Sequence, residues 1–223
     1  AATFLVDTEV ASENNLAFSE IHYRPALPTS AELAAGFDER SDFEFIELIN
    51  ISNRAIDLSG LVFSAGISFE FDSSLDGGTI SAGGRIVLVN NLEAFRSRYG
   101  NDVPVAGEYS GDLNNDGEQL VVSDASGDTV LDLTYNDADP WPASADGEGY
   151  SLVLIDPDSA NSPARPSAWR TSAVAGGTPG DSDGTTYDQW RIGAGVADSG
   201  SDPDGDGLTN LMEYVLGSDP KVH

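Results

Sequence analysis

The sequence predicts an all-β protein: an immunoglobulin-like antiparallel β-sandwich with a small C-terminal module made of a loop and a helix. The first observation is that Gly and Pro are frequent, with 24 Gly and 11 Pro in 223 residues, and these residues punctuate regular elements with turns. The second is that about eight short stretches between them alternate apolar and polar residues and are rich in β-branched and aromatic types. Such stretches are typical of strands with one buried face.

The predicted strands follow one another from residue 16 onward. They are Leu16–Tyr23, Phe43–Ile49, Leu61–Ser64, Ile67–Phe71, Arg85–Asn90, Gln119–Ser123, Thr129–Tyr135 and Ser151–Ile155. In the second of them, Phe43, Phe45 and Glu47 are expected to share one face of the sheet, because side chains alternate along a strand. Each stretch is bounded by Gly, Asp, Asn or Pro, and this spacing of turns indicates a sandwich.

Two short helices are predicted between the strands. Thr29 and Glu32 have the spacing of a capping box, and Gly36 stands where the first helix would end. The second helix is predicted over Leu92–Tyr99, where apolar residues recur at helical spacing, and Gly100 is its natural stop.

A change of composition divides the chain into parts. Residues 173–186 are small, polar and rich in Gly and Pro, which is typical of a linker. We therefore predict an N-terminal extension over 1–15, a sandwich domain over 16–172, the linker, and an acidic module over 187–223.

The charge of the chain restricts its partners. It has 38 acidic and 10 basic residues and a formal net charge of -28. This argues against nucleic acid, whose binding needs clustered Lys and Arg, and against anionic membrane surfaces. Divalent cations, salty surroundings and neutral sugars remain compatible partners. The absence of Cys excludes disulfides, thiolate zinc sites and Cys nucleophiles, and no apolar run approaches the length of about 18–20 residues that spans a bilayer.

The C-terminal module contains a motif with a defined chemistry. Residues 202–213, with the sequence DPDGDGLTNLME, fit the pattern D-x-[DN]-x-[DN]-G-x5-E of a calcium-binding loop. Calcium is a hard cation that takes six to eight oxygen ligands, and a chain that coils around the ion makes these positions converge. The predicted calcium ligands are the side chains of Asp202, Asp204, Asp206, Asn210 and Glu213 and the carbonyl group of Leu208.

The surroundings of this loop support the same interpretation. Gly207 permits the sharp turn at the sixth position, and an amphipathic helix with an apolar stripe follows. The entering segment around Trp190 is separated from the loop by a spacer, so the unit is not a standard paired EF-hand. A lone loop of this type is expected to bind calcium with a Kd of about 10⁻⁴–10⁻³ M. We expect calcium to order residues 198–217 and the module to dock on the sandwich through Trp190, Leu211 and Val215.

Two other acidic segments resemble parts of the same motif. Asp112–Gly117 fits the first half, but the twelfth position is Ser123 and a strand follows, so a tight hairpin turn is the better interpretation. Asp219-Pro220 repeats the Asp-Pro that opens the calcium loop. The sequence leaves open whether a second calcium site exists near either one.

Nothing in the sequence recommends an enzyme. The only His residues are His22, within a predicted strand, and His223, at the C-terminus, and the chain has no G-x-S-x-G, H-E-x-x-H or P-loop motif. We therefore expect no catalytic residues.

A glycan-binding site is the alternative kind of site. Sugars stack on exposed aromatic rings, and Trp141 lies in a loop between Pro140 and Pro142, with Tyr135 and Tyr150 as candidate flanking rings. The competing interpretation is that Trp141 fixes this loop against the sandwich.

Eight segments occur in the order found in one family. They are Phe18–Tyr23, Phe43–Leu48, Ile56–Leu61, Ile80–Leu88, Asn115–Leu120, Asp146–Leu152, Trp169–Arg170 and Gly177–Gly180. Residues 16–180 thereby resemble a bacterial lamin tail domain, an immunoglobulin-like sandwich. Residues 202–220 resemble the dockerin-like or thrombospondin type 3-like EF-hand calcium segments attached to such proteins, although only one full unit is present.

These resemblances imply a non-catalytic interaction or scaffolding module within a larger secreted or cell-surface bacterial protein, with a structural Ca²⁺ ion. The partners that they imply are other domains of the same polypeptide, another extracellular protein or a polysaccharide. Two alternatives stay open: a carbohydrate-binding module attached to a polysaccharide-active enzyme, and a calcium-rigidified linker with no ligand of its own.

Overall fold

A computed structural model describes residues 8–72, 78–157, 164–184, 191, 194–196, 198–216 and 220–221. The chain divides into two compact units, Ala1–Ser182 and Asp183–His223. The division falls inside the segment whose composition predicts a linker. Within the described ranges, no helix has the length and apolar character needed to cross a membrane.

The described residues form twelve strands and three α-helices. The strands are β1 (Glu9–Val10), β2 (Leu16–His22), β3 (Phe45–Asn50), β4 (Ile56–Asp57), β5 (Val62–Ala65), β6 (Thr79–Ile80), β7 (Arg85–Val89), β8 (Val105–Glu108), β9 (Glu118–Ser123), β10 (Thr129–Tyr135), β11 (Leu152–Leu154) and β12 (Trp169–Thr171). The helices are α1 (Ser30–Ala35), α2 (Leu92–Tyr99) and α3 (Asn210–Leu216).

The first unit is built from three sheets. The largest has six strands in the order β12-β11-β2-β3-β7-β8, and two three-stranded sheets have the orders β10-β9-β5 and β1-β4-β6. Phe18 of β2 and Phe63 of β5 meet edge to face with ring centroids 6.3 Å apart, which joins the large sheet to the β10-β9-β5 sheet. Both sheets contribute to one apolar core, so the architecture is the predicted β-sandwich.

Strand β3 is buried on both of its faces. Ile46 and Leu48 lie in the main core between the sheets. Phe45 points to the opposite face, where it joins Val87 and Phe95 in a second apolar cluster beneath α2. Each fully buried side chain of this kind contributes about 1.5–3 kcal/mol, so the centre of the large sheet is stabilised from both sides. Glu47 shares the face of Phe45, as predicted, and is also buried.

Both predicted helices of the first unit are confirmed. Thr29 and Glu32 exchange the two hydrogen bonds of a capping box, and Gly36 ends α1 in a left-handed conformation. Helix α2 has the predicted bounds and ends at Gly100. The two helices are linked because Arg98 of α2 donates two hydrogen bonds to the Glu32 carboxylate, at 2.8 and 2.9 Å.

The structure differs from the predicted strands at several places. Ile67–Phe71 forms only isolated bridges, and Ser41–Phe43 is a short 3₁₀ helix, so β3 begins two residues later than predicted. The pairs β1–β4 and β7–β8 are parallel, so the sandwich is not wholly antiparallel. The strands that the sequence did not indicate are β1, β4, β6, β8 and β12, and each has two to four residues.

Candidate metal centre

Three carboxylates converge in the loop that precedes α3. Asp202, Asp204 and Asp206 each offer one oxygen atom, and these atoms all lie within 4.8 Å of one another. Two oxygens that bind one calcium ion from opposite sides at 2.3–2.6 Å are about 4.6–5.2 Å apart, so this spacing fits ligands of a single ion. In the part of the chain that the structure describes, no other group of three or more acidic or His side chains is this close.

Backbone amides of the loop hold these carboxylates in place. The Asp202 carboxylate accepts hydrogen bonds from Gly205 N (2.8 Å) and Gly207 N (3.0 Å), and the Asp206 carboxylate accepts one from Leu208 N (2.7 Å). Gly207 has a φ of +94°, in the left-handed region that favours Gly. The predicted sharp turn at Gly207 is therefore confirmed.

Helix α3 carries the next two predicted ligands. Asn210 and Glu213 are both fully buried, which is unusual for these residue types unless they have polar or ionic partners. The 4.8 Å group does not include Glu213. Leu208, whose carbonyl group is a predicted ligand, is half-buried.

Two oxygen atoms of the predicted ligands are buried without a hydrogen bond. Asn210 Oδ1 and Asp204 Oδ2 are shielded from solvent and have no hydrogen-bond partner among the described residues. A buried acceptor left in this state costs about 1–3 kcal/mol. A cation bound by these oxygen atoms would supply the missing interaction.

The other residues predicted to act in the module are either outside the described residues or exposed. Trp190 and the predicted entering segment lie outside the described residues, apart from Arg191, as does the side chain of Val215. Leu211 is exposed, with 44% of its surface accessible. The predicted docking through these residues stays a prediction.

The segment Asp112–Gly117 contains a hydrogen-bonded turn. Asp112 Oδ1 accepts from Asn90 Nδ2 (3.1 Å), and Asn114 Oδ1 accepts from Asp116 N (2.9 Å). The described residues contain no converging group of carboxylates here, and the chain continues into strand β9 and not into a helix. The other segment considered, at Asp219, lies outside the described residues.

A buried carboxyl group anchors this turn to the residue that precedes β3. Glu44 Oε2 accepts a hydrogen bond from Leu113 N (2.8 Å), and the Tyr109 hydroxyl lies 3.4 Å away. Burial raises the pKa of Glu44 to about 8, while the hydrogen bond from Leu113 N opposes the shift. The folded protein therefore holds a proton at Glu44 that the unfolded chain releases near its ordinary pKa of 4.5.

This difference predicts how stability depends on pH. Because the folded-state pKa is raised, the contribution of Glu44 is fully present below pH 4.5 and is lost as the pH rises through about 8. Glu44→Gln keeps an acceptor for Leu113 N but cannot ionise, so wild type should lose stability relative to the variant by up to about 1.4 kcal/mol per pH unit. Urea denaturation of both proteins at pH 5 and pH 8 measures the difference, and parallel pH profiles would contradict it.

The three candidate glycan-binding aromatics have different environments. Tyr135 is fully buried, its ring packs 4.9 Å from that of Tyr23, and its hydroxyl donates to Asn114 O (2.8 Å), so neither of its faces is open to a sugar. Trp141 is half-buried against the core, with its ring centroid 6.4 Å from that of Trp169. Tyr150 is also half-buried. These contacts favour the interpretation that Trp141 fixes its loop.

His22 has the surroundings of a structural residue. It is fully buried, and its Nδ1 lies 3.5 Å from the Tyr99 hydroxyl. Burial lowers the pKa of His22 to about 3, so the ring is neutral at physiological pH. The other His, His223, lies outside the described residues.

The sheets and their shared core define an immunoglobulin-like β-sandwich module. The family model Lamin Tail Domain matches residues 9–137, more than half of the chain, and the chain belongs to this family. Its members are generally non-catalytic. The match does not extend to the C-terminal unit. Comparison with curated proteins gives no match.

Proposed function

We propose that this chain is an extracellular interaction and scaffolding module whose C-terminal unit binds one structural calcium ion. The interaction role follows from the lamin tail domain, which is generally a non-catalytic module. The calcium role is supported above all by the three Asp carboxylates within 4.8 Å of one another. The two buried residues that follow on α3, Asn210 and Glu213, would supply the further oxygen ligands that the loop pattern requires.

The chemistry of this ligand set favours calcium over other metals. Every side-chain donor is a carboxylate or amide oxygen, whereas structural zinc sites use Cys and His. Magnesium demands near-octahedral geometry and usually keeps several waters. Six protein donors spread over twelve residues, with a terminal Glu that can bind through both oxygens, suit the larger and more flexible coordination shell of calcium.

The expected affinity supports an extracellular setting. The loop has no paired second loop among the described residues, and extracellular calcium modules bind at about 10⁻⁴–10⁻³ M. A site of that affinity fills only where calcium is near millimolar. The net charge of -28 adds long-range attraction for cations and suits surroundings in which salt screens the repulsion between acidic groups.

Calorimetry and thermal unfolding of the 223-residue chain test the proposal. We expect calcium to bind with one site and a Kd of about 10⁻⁴–10⁻³ M. At 10 mM calcium this affinity stabilises the unit that contains the site by about 1.4–2.7 kcal/mol, so its unfolding midpoint should rise relative to chelator. Magnesium at the same concentration should have a much smaller effect. No binding heat and an unchanged unfolding curve at 10 mM calcium would overturn the proposal.

A further inference from the structure

A turn outside the calcium motif is built around one carboxylate. Asp198 accepts hydrogen bonds from Gly200 N (2.9 Å), Ser201 N (2.8 Å) and the Ser201 hydroxyl (2.9 Å). These three bonds fix residues 198–201, which we call the 198–201 turn. It lies immediately before Asp202, the first residue of the loop.

The carbonyl groups of this turn hold the start of α3. Ser201 O accepts from Asn210 N (2.8 Å), and Ser199 O accepts from Leu211 N (3.2 Å). The first amides of a helix have no partner within the helix, so the turn supplies acceptors that solvent would otherwise provide. It thereby closes the loop by joining the residue before its first position to the helix that carries its last two ligands.

The same turn also fixes the side chain of a ligand. Asn210 Nδ2 donates to Asp198 O at 2.5 Å. With its nitrogen engaged there, the amide of Asn210 presents Oδ1 as its remaining polar atom, and this oxygen is buried without a hydrogen-bond partner among the described residues. The amide is thus held in one orientation, with its oxygen available to a cation.

We propose that Asp198 is a positioning residue for the calcium site, and that the 198–201 turn performs the restraint that an entering helix gives to an ordinary EF-hand loop. The inference rests on the proposed calcium function and adds a determinant that the motif does not contain. Residues that hold metal ligands by hydrogen bonds typically change metal affinity by about 10–100-fold when they are removed. The turn depends on the acceptor oxygens of Asp198 and not on its charge.

Two substitutions at one position separate these effects. Asp198→Ala removes every acceptor of the side chain, and we expect it to weaken calcium binding by about tenfold. Asp198→Asn removes the same charge but keeps an oxygen for the backbone amides, and the Ser201 hydroxyl can reverse its role and accept from the new amide. We expect this variant to bind within about threefold of wild type. Ser201→Ala removes one of the three hydrogen bonds, and its calcium Kd should lie between those of Asp198→Ala and Asp198→Asn.

Calorimetric titration of the full chain with calcium chloride gives the Kd of each protein, and circular dichroism in chelator shows whether each variant is folded. If Asp198→Ala is unfolded without calcium, the calcium Kd of Ser201→Ala is compared with that of Asp198→Asn instead. Weaker binding by Ser201→Ala supports the positioning role, and equal binding contradicts it. Absence of binding by wild type would overturn the calcium function itself. Binding by wild type with an unaltered Kd in Asp198→Ala, or equal losses in the Ala and Asn variants, would overturn the positioning role alone.

Discussion

Replacing Gly177 with Ala is expected to lower the free energy of unfolding of the first unit by about 3 kcal/mol. Gly177 has a φ of +75°, and an added Cβ would lie 2.0 Å from Glu20 Oε1 and 2.9 Å from Ser151 Oγ. A left-handed conformation costs an L-residue about 1–2 kcal/mol, and overpacking of a filled site costs about 1–3 kcal/mol. Glu20 is buried and bonded to the Ser151 hydroxyl and to Thr178 N, so it cannot move aside without losing these bonds.

The adjacent residue provides a matched control. Gly176 also has a left-handed φ, +97°, but an added Cβ there would meet only Tyr99, at 3.8 Å. Gly176→Ala should therefore show the conformational cost alone, about 1–2 kcal/mol. Urea denaturation followed by Trp fluorescence gives both values. Equal destabilisation by the two variants would mean that the contact with Glu20 has no energetic consequence.

The segment around Gly177 illustrates what composition cannot predict. Residues 173–186 have the composition of a linker, yet Gly177–Gly180 donates backbone hydrogen bonds to two buried Glu side chains on neighbouring strands. Glu20 of β2 faces Glu47 of β3 in the sheet register. Glu20 accepts from Thr178 N (3.1 Å), and Glu47 accepts from Gly180 N (2.6 Å). A Glu within an alternating strand predicts a solvent-facing side chain. These two Glu side chains are buried instead, because they bond to a segment more than 130 positions away.

Local signals predicted the elements that are stabilised locally. Strand β10 and helix α2 have the predicted bounds, because alternation, an Asn cap and a terminal Gly define them within their own sequence. The strands that were missed are short and owe their existence to neighbours. Val105–Glu108, for example, pairs in parallel with β7, and no pattern within four residues can indicate such a long-range pairing.

The candidate site shows the same division. The spacing of the motif predicted which Asp side chains converge, because their positions within a single tight loop determine their geometry. The 198–201 turn was not predicted, although Asp198-Ser-Gly-Ser201 has the composition of an Asx turn. Its importance depends on its bonds to Asn210, which lies twelve residues away. The burial of Tyr135 likewise depends on a residue outside its own strand, because its ring packs against Tyr23 across the core.

Glu213→Gln is expected to remove most of the stabilisation that calcium gives to the C-terminal unit. The substitution preserves shape but removes a fully buried carboxylate. Removing one partner of a buried charge pair costs about 3–5 kcal/mol, and 1.4 kcal/mol corresponds to a factor of ten. Calcium binding should therefore weaken by at least about 100-fold, which raises the expected Kd to about 10 mM or more and leaves at most about 0.4 kcal/mol of stabilisation at 10 mM calcium. The difference between the unfolding midpoints of the variant with calcium and with chelator should therefore be much smaller than that of wild type.

Thermal unfolding and calorimetry with calcium and with chelator measure both effects. Glu39→Gln is the matched control, since it makes the same chemical change at an exposed position of the first unit and should alter neither quantity. The loss of the calcium-dependent shift in the unfolding midpoint is the informative result. A general loss of stability would lower the midpoint in both conditions, whereas a lost ligand lowers it only when calcium is present. Calcium binding by Glu213→Gln with the affinity of wild type would exclude Glu213 as a ligand and leave the three Asp carboxylates to hold the ion.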